Sequence, residues 1–309
     1  MTKFLENSSQ GNNKWYIYMV SFFFMLGGNV IGSIPLIVAM FYFNSDMNFE
    51  SASIEGRPTL TLALMLLTFI ATLGMLLIAI KYLHKKRLND VLTGRPSFDW
   101  SRMFYGIKIW FAVMAVSSVI SVIISPEDVE LIFDLGKFVP LFFVVILMVP
   151  IQAATEEVIF RAYYMQGMTM ISRNRWLPLL VTSIIFGLLH IGNPEVEEFG
   201  VAIMMPQYIS MGLFFGIMTL MDDGSELAIG MHAINNVFLA LFFTHDSSAL
   251  KTDAVFRIKE VNPEYEMIFM LIQFTIVLFI LSRKYKWKDW SRLYAKVIMP
   301  KEPEAIEEL

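Results

Sequence analysis

Residues 138–172 read FVPLFFVVILMVPIQAATEEVIFRAYYMQGMTMIS. An α-helix needs roughly 20 apolar residues to cross about 30 Å of hydrocarbon, and this run exceeds that length. Its charged residues are Glu156, Glu157 and Arg161, grouped within six positions. Each charge near the bilayer centre costs roughly 2.5–3.5 kcal/mol on insertion scales, so such a cluster marks a function or a buried ion pair. Pro140 and Pro150 in the same run predict a broken helix, or a span with a tilted extension.

Working outward, seven more segments approach or exceed a spanning length: 15–43, 59–83, 103–124, 176–192, 201–221, 227–243 and 265–282. The 309 residues are 56% hydrophobic and 17% charged, with mean hydropathy +0.58. Soluble domains run about 45–50% apolar and about 25% charged. A disordered chain, a collagen-like repeat and an ordinary cytosolic enzyme are excluded. The fold class that follows is all-α, a polytopic integral membrane protein with about eight transmembrane helices. The first span is too long for a signal-peptide core and lacks a small-residue cleavage site, so it is expected to stay attached. Its Gly27, Gly28, Gly32 and Pro35 predict a kink or a close helix contact.

Lys and Arg in the connections set the orientation. With the N-terminus inside, 18 of the 24 basic residues fall on cytoplasmic segments, five on outer loops, and Arg161 within a span. Both termini are therefore expected in the cytoplasm. After the last span, Trp287, Trp290, Leu293, Tyr294 and Val297 recur at helical spacing among Lys286, Lys288, Arg292 and Lys296, the pattern of a basic interfacial helix. The closing KEPEAIEEL reads as a disordered acidic tail. No internal repeat is visible. With no cysteine, disulfides, thiolate metal sites and a cysteine nucleophile are excluded. No basic stripe interleaved with aromatics suggests nucleic acid.

Glu157 and Arg161 are four apart, acid before base, and so share a helix face as an ion pair. Glu156 is rotated about 100° away and is free to face a cavity. Two of the four histidines lie in spans: His190 ends FGLLH, and His232 opens HAINN with Asn236 on the same face. A lone intramembrane His is usually a satisfied core residue; two of them with two glutamates, an arginine and an asparagine point to chemistry. His84 and His245 fall in connections and read as surface residues. Counted from the turn at Arg173 and Arg175, Glu156 and His190 lie at similar depth, whereas His232 counts as shallower.

These residues resemble a known family. EEVIFR at 156–161 fits EExxxR, Phe186 to His190 fits FxxxH, and His232 to Asn236 fits HxxxN. In this order they are similar to the motifs of the CPBP family, which contains type II CAAX prenyl endopeptidases and bacteriocin-processing or immunity-type membrane proteins. The resemblance implies a four-helix catalytic core over 138–243. Residues 1–137 would supply three accessory spans, and 244–309 an outer loop, the last span and the basic interfacial helix. It implies an intramembrane endopeptidase without a cofactor, acting on a peptide or membrane-protein substrate. By that similarity Glu156 and His190 activate a water, His232 and Asn236 steady the oxyanion, and Glu157 and Arg161 hold the motif helix or orient substrate. Many members carry a glycine soon after the arginine; here Ala162 and Tyr163 follow, and Gly167 comes later.

Other readings stay open. Two imidazoles and a carboxylate can hold zinc, so Glu156, His190 and His232 form an alternative metal set for a zinc-dependent protease. A non-catalytic scaffold or immunity-type protein binding a membrane partner is a different class of function, and a proton-relaying transporter a third. HExxH, GxSxG and GxxxxGK[ST] are absent. The expected location is a plasma membrane or a bacterial inner membrane.

Overall fold

The computed structural model describes residues 4–43 and 53–299; the acidic tail expected at 301–309 lies outside them. The order is α1 (Trp15–Phe43), α2 (Pro58–Ile78), α3 (Leu88–Leu92), α4 (Trp100–Ile124), β1 (Val129–Leu131), α5 (Leu135–Glu157), α6 (Met165–Ser172), α7 (Trp176–Leu188), α8 (Pro194–Phe199), α9 (Val201–Asp222), α10 (Glu226–Phe242), β2 (Phe243–Thr244), β3 (Phe256–Ile258) and α11 (Pro263–Tyr285). Among the described residues six helical runs are long and apolar enough to cross a membrane. The other two apolar helices, α7 and α10, are shorter. Rows of exposed Phe, Ile, Leu and Val on the outer faces, such as Phe23, Val30, Ile123 and Leu147, fit lipid rather than water as the surrounding solvent. The protein is a polytopic all-α membrane protein with one small sheet.

The two prolines do not break the long span. Leu135–Ser172 is a continuous helical run of 38 residues. Its irregularity is a π-helical stretch at Val158–Tyr164, beginning right after the paired glutamates. A π insertion changes the angular offset between the residues before and after it. A second π stretch, Ala79–Leu83, extends α2.

Close packing of α1 on α2 depends on two glycines one turn apart. A Cβ on Gly28 would sit 2.8 Å from the Ala71 carbonyl oxygen, and one on Gly32 would sit 2.5 Å from the Thr68 Cα. Gly27 faces open space. Gly167, the late glycine of the motif helix, gives room to the Tyr18 ring of α1. The central core joins α4, α9, α10 and α11 through Trp110, Phe214, Phe215, Phe238 and Phe274, with Phe214 and Phe274 stacked at 4.0 Å between centroids.

The loops tie the bundle together at both ends. At one end β3 pairs antiparallel with β1 and parallel with β2, closing the connections after α4 and α10. At the other, Phe4 and Leu5 are buried against Met165, Leu179, Leu220 and Val297. Gln166 there donates to the carbonyls of Phe4, Asp90 and Val91. Exposed Trp15, Trp100, Trp176 and Trp290 cluster at this second end, where amphipathic rings favour the headgroup level.

Two expectations are corrected here. The segment after α11 is a 3₁₀ turn, Trp290–Tyr294, not an amphipathic helix lying in the interface. Trp287 and Val297 are buried in the bundle. Val297 donates to the Arg173 carbonyl, so tertiary hydrogen bonds outweigh the helical pattern. His84 is not a surface residue: it is 1% exposed. Its Nδ1 lies 2.8 Å from the Asn12 carbonyl oxygen and its Nε2 2.7 Å from the Tyr163 hydroxyl. A carbonyl only accepts, so Nδ1 donates and Nε2 accepts from the phenol. Burial pushes the His84 pKa down to about 4, with Lys86 adding to the fall and the Asn12 bond opposing it. His245 is half-buried.

Candidate active site

The helices that meet around the paired glutamates are α5, α7, α9 and α10. Glu157 and Arg161 are both fully buried. They pair at 3.3 Å across one turn. The guanidinium also donates from Nη2 to the Gly212 carbonyl at 3.2 Å and lies over the Phe186 ring, 4.2 Å from its centroid. Gly212 also lets α9 pack closely on α7, because a Cβ there would press on Ser183 at 3.0 Å. A charge so far from water is tolerable only with such partners.

Glu157 holds a second partner that the one-turn spacing does not reveal. His232 Nδ1 lies 2.8 Å from Glu157 Oε1, and the imidazole stacks on Phe215 at 4.9 Å between centroids. The shallower depth counted for His232 is thereby corrected. Counting residues from a turn measures depth only for helices that start in one plane, and α10 begins beside the π-helical stretch, with Ile229 against Val158, Ala162 and Tyr163.

Glu156 approaches the same imidazole from its other ring nitrogen. Its Oε1 accepts from Gln152 Nε2 at 2.6 Å. Its Oε2 is buried without a hydrogen-bond partner and lies 3.6 Å from His232 Nε2. That gap is too long for a hydrogen bond. Asn236 donates from Nδ2 to Gln152 Oε1 at 2.9 Å and accepts from Asn235 Nδ2 at 3.0 Å. Asn235 in turn accepts from the Trp110 indole at 3.1 Å. Gln152, Asn235 and Trp110 were not singled out by the motifs. Gln152 lies four residues before Glu156, a spacing that places the two on one face and was legible in the sequence.

His190 stands at the end of α7. Its Nδ1 is 2.7 Å from the Phe186 carbonyl. In the neutral ring Nδ1 therefore carries the proton and Nε2 presents its lone pair. The ring stacks on Tyr208 at 4.4 Å, and the Tyr208 hydroxyl accepts from Asn193 at 3.0 Å. Phe186 lies between the two histidine rings, 4.7 Å from His190 and 6.1 Å from His232. Among the described residues no three His, Cys, Asp or Glu side chains come together as a metal-binding group. Glu156, His190 and His232 are therefore not gathered as the alternative zinc set requires.

The comparisons with known proteins follow the same residues. A protein of Bacillus subtilis (strain 168) carrying the name uncharacterized protein YyaK is 26% identical over 268 residues, covering 85% of this chain and 89% of that protein. The likeness therefore extends into the helices before α5. No solved structure matches the chain. Residues 137–238, which include every residue of the three motifs, match the family model described as type II CAAX prenyl endopeptidase Rce1-like. The likeness to that family covers this segment, about a third of the chain.

Proposed function

We propose that the protein is an intramembrane endopeptidase in which Glu156 is the general base for water. The observation that carries this reading is the unpartnered Oε2 of Glu156 facing His232 Nε2 across 3.6 Å. A water seated beside this gap, not within its 3.6 Å, can bond to both atoms. Glu156 takes a proton as the water oxygen attacks the scissile carbonyl carbon. The C=O electron pair moves to oxygen, and His232 Nε2–H and the Asn236 amide stabilise that oxyanion, where preorganised donors in a dry site act most strongly. Collapse of the intermediate breaks the C–N bond, and the proton held by Glu156 passes to the leaving amine. One water has then been added across one peptide bond.

The remaining residues serve this step. Glu157 accepts from His232 Nδ1 and fixes the ring with Nε2 toward Glu156 Oε2, the orienting role of a buried carboxylate behind a histidine; a ring with hydrogen on both nitrogens also donates from Nε2. Arg161 neutralises Glu157. His190, across the Phe186 ring from His232, keeps Nε2 free of the Phe186 carbonyl bond and is the second candidate base. The substrate is a peptide or membrane-associated protein reaching the site from the bilayer or its cytoplasmic face. The positive-inside asymmetry of the loops supports placing both termini in the cytoplasm.

The test compares new peptide termini in membranes of cells expressing the wild-type chain or Glu156→Gln. Termini present with the wild type and absent with the variant support the reading and identify substrates. Equal termini from both, at equal expression, overturn it.

A further inference from the structure

Four side chains run in an unbroken hydrogen-bonded line to Glu156, and chemistry fixes the direction of every bond. The Trp110 indole can only donate, so Asn235 meets it with Oδ1. Asn235 then offers its amide nitrogen to Asn236 Oδ1, and Asn236 offers its own to Gln152 Oε1. That leaves Gln152 Nε2 to donate to Glu156 Oε1. The far end is equally unambiguous, because an ionised carboxylate can only accept. Donor-only indole and acceptor-only carboxylate thus orient three amides that could each otherwise flip.

We propose that Gln152, oriented by Asn236, Asn235 and Trp110, is a positioning residue that occupies Oε1 of Glu156 and so makes Oε2 the oxygen that takes the proton from water. This rests on the function proposed above. Three observations converge on it. The 2.6 Å Gln152–Glu156 bond is the shortest in the line, as expected for a donor meeting a charged acceptor. Oε2 is the oxygen left without a hydrogen bond. Trp110, Gln152 and Asn235 are buried, at 1%, 7% and 8% exposed, with Asn236 partly buried between them; there aligned amides polarise one another and hold their acceptor firmly.

The line also starts outside the segment that matches the family. Trp110 belongs to α4, which precedes residues 137–238. Its ring packs beside the stacked pair of Phe214 of α9 and Phe274 of α11, at 5.4 and 5.9 Å between centroids. The packing of three helices is thereby converted into the position of one carboxylate oxygen. An accessory helix takes part in the site without touching substrate.

The test uses full-length protein in detergent. Gln152→Met keeps the size and removes both bonds. Gln152→Glu keeps an acceptor for Asn236 and loses the donor to Glu156. Trp110→Phe keeps an aromatic ring, removes the N–H and gives up part of the indole's volume. The first readout needs no substrate: the infrared carboxylate band that vanishes in Glu156→Gln is assigned to Glu156. It should shift in Gln152→Met and Gln152→Glu, and by less in Trp110→Phe.

The second readout is cleavage of a peptide spanning a bond found in the membrane comparison. Both Gln152 variants should lose on the order of ten- to a hundredfold in kcat with KM unchanged, the range for a hydrogen bond to a charged group. Trp110→Phe should lose on the order of fivefold. An unmoved Glu156 band in Gln152→Met overturns the positioning role. So does a Gln152→Glu enzyme with wild-type kcat, since contact with Asn236 alone would then suffice. Bands that shift as expected in the variants, together with a wild-type chain that cleaves nothing, leave the hydrogen-bonded line standing and sink the endopeptidase reading.

Discussion

His232 on α10 donates from Nδ1 to Oε1 of Glu157 on α5 at 2.8 Å, closer than the 3.3 Å between Glu157 and Arg161. The carboxylate of the motif helix thus answers to two partners on different elements. Replacing it by an isosteric amide separates its charge from its shape. Glu157→Gln offers His232 either an oxygen or an N–H, and the wrong choice turns the imidazole to the wrong tautomer. Its kcat should fall on the order of a hundredfold or more with KM little changed. Wild-type kcat in a folded Glu157→Gln protein would refute the orienting role.

Glu156→Gln keeps side-chain volume and leaves Gln152 with an acceptor, so it should insert and fold normally while cleavage disappears. Incubating the wild type with a chelator should leave cleavage unchanged, because the described residues gather no three metal-binding side chains. Loss of activity on chelation, restored by added zinc, would return the Glu156, His190 and His232 metal set to consideration.

Arg161→Ala should destabilise the protein far more than Glu156→Ala. Arg161 is wholly buried. Removing it strands the Glu157 charge, leaves the Gly212 carbonyl without its donor, and opens a space over Phe186. Breaking one side of a buried pair costs about 3–5 kcal/mol. Thermal midpoints in detergent measure this. Equal losses for the two variants would argue against a structural ion pair.

His84 should make the fold acid-sensitive. Its pKa is pushed down to about 4 by burial, against 6.5 for an ordinary histidine. As pH falls below about 6.5 the unfolded chain takes up a proton that the folded chain refuses, so stability declines between pH 6.5 and 4. His84→Gln keeps hydrogen-bonding capacity without the titration. A midpoint that falls equally steeply over that window in both proteins would remove His84 as the cause.

Gly32→Leu should separate α1 from α2. Even a bare Cβ would lie 2.5 Å from the Thr68 Cα, and backbone cannot yield as a side chain does. Gly27→Leu, which faces open space, is the matched control. Cross-linking between cysteines placed on the two helices should weaken only in the first variant. A similar loss in both would point to altered insertion rather than packing.

Much of the candidate site was legible because its members are rare in their surroundings. Glu156, Glu157 and Arg161 stand out in an apolar run, and His190, His232 and Asn236 fall at one-turn spacings from their motif partners. Gln152 has a one-turn spacing to Glu156 too, but an amide in an apolar helix carries no charge and draws less notice. Trp110 gave no signal, since a tryptophan in an apolar helix is ordinary core until its N–H is seen to meet Asn235. His84 misled because connections are usually exposed, whereas this one is covered by the N-terminal segment.

The sequence by itself determined that this is a polytopic helical membrane protein and where its polar residues lie along the helices, because hydrocarbon length and helical period are local rules. It also determined that Glu157 and Arg161 could pair, since four residues make one turn. Only the tertiary structure decided that Glu157 also binds His232, that Trp110 is linked to Glu156 through three amides, and that the basic C-terminal segment packs into the bundle. Those relations join residues distant in sequence, through helix packing and backbone hydrogen bonds that no local pattern encodes.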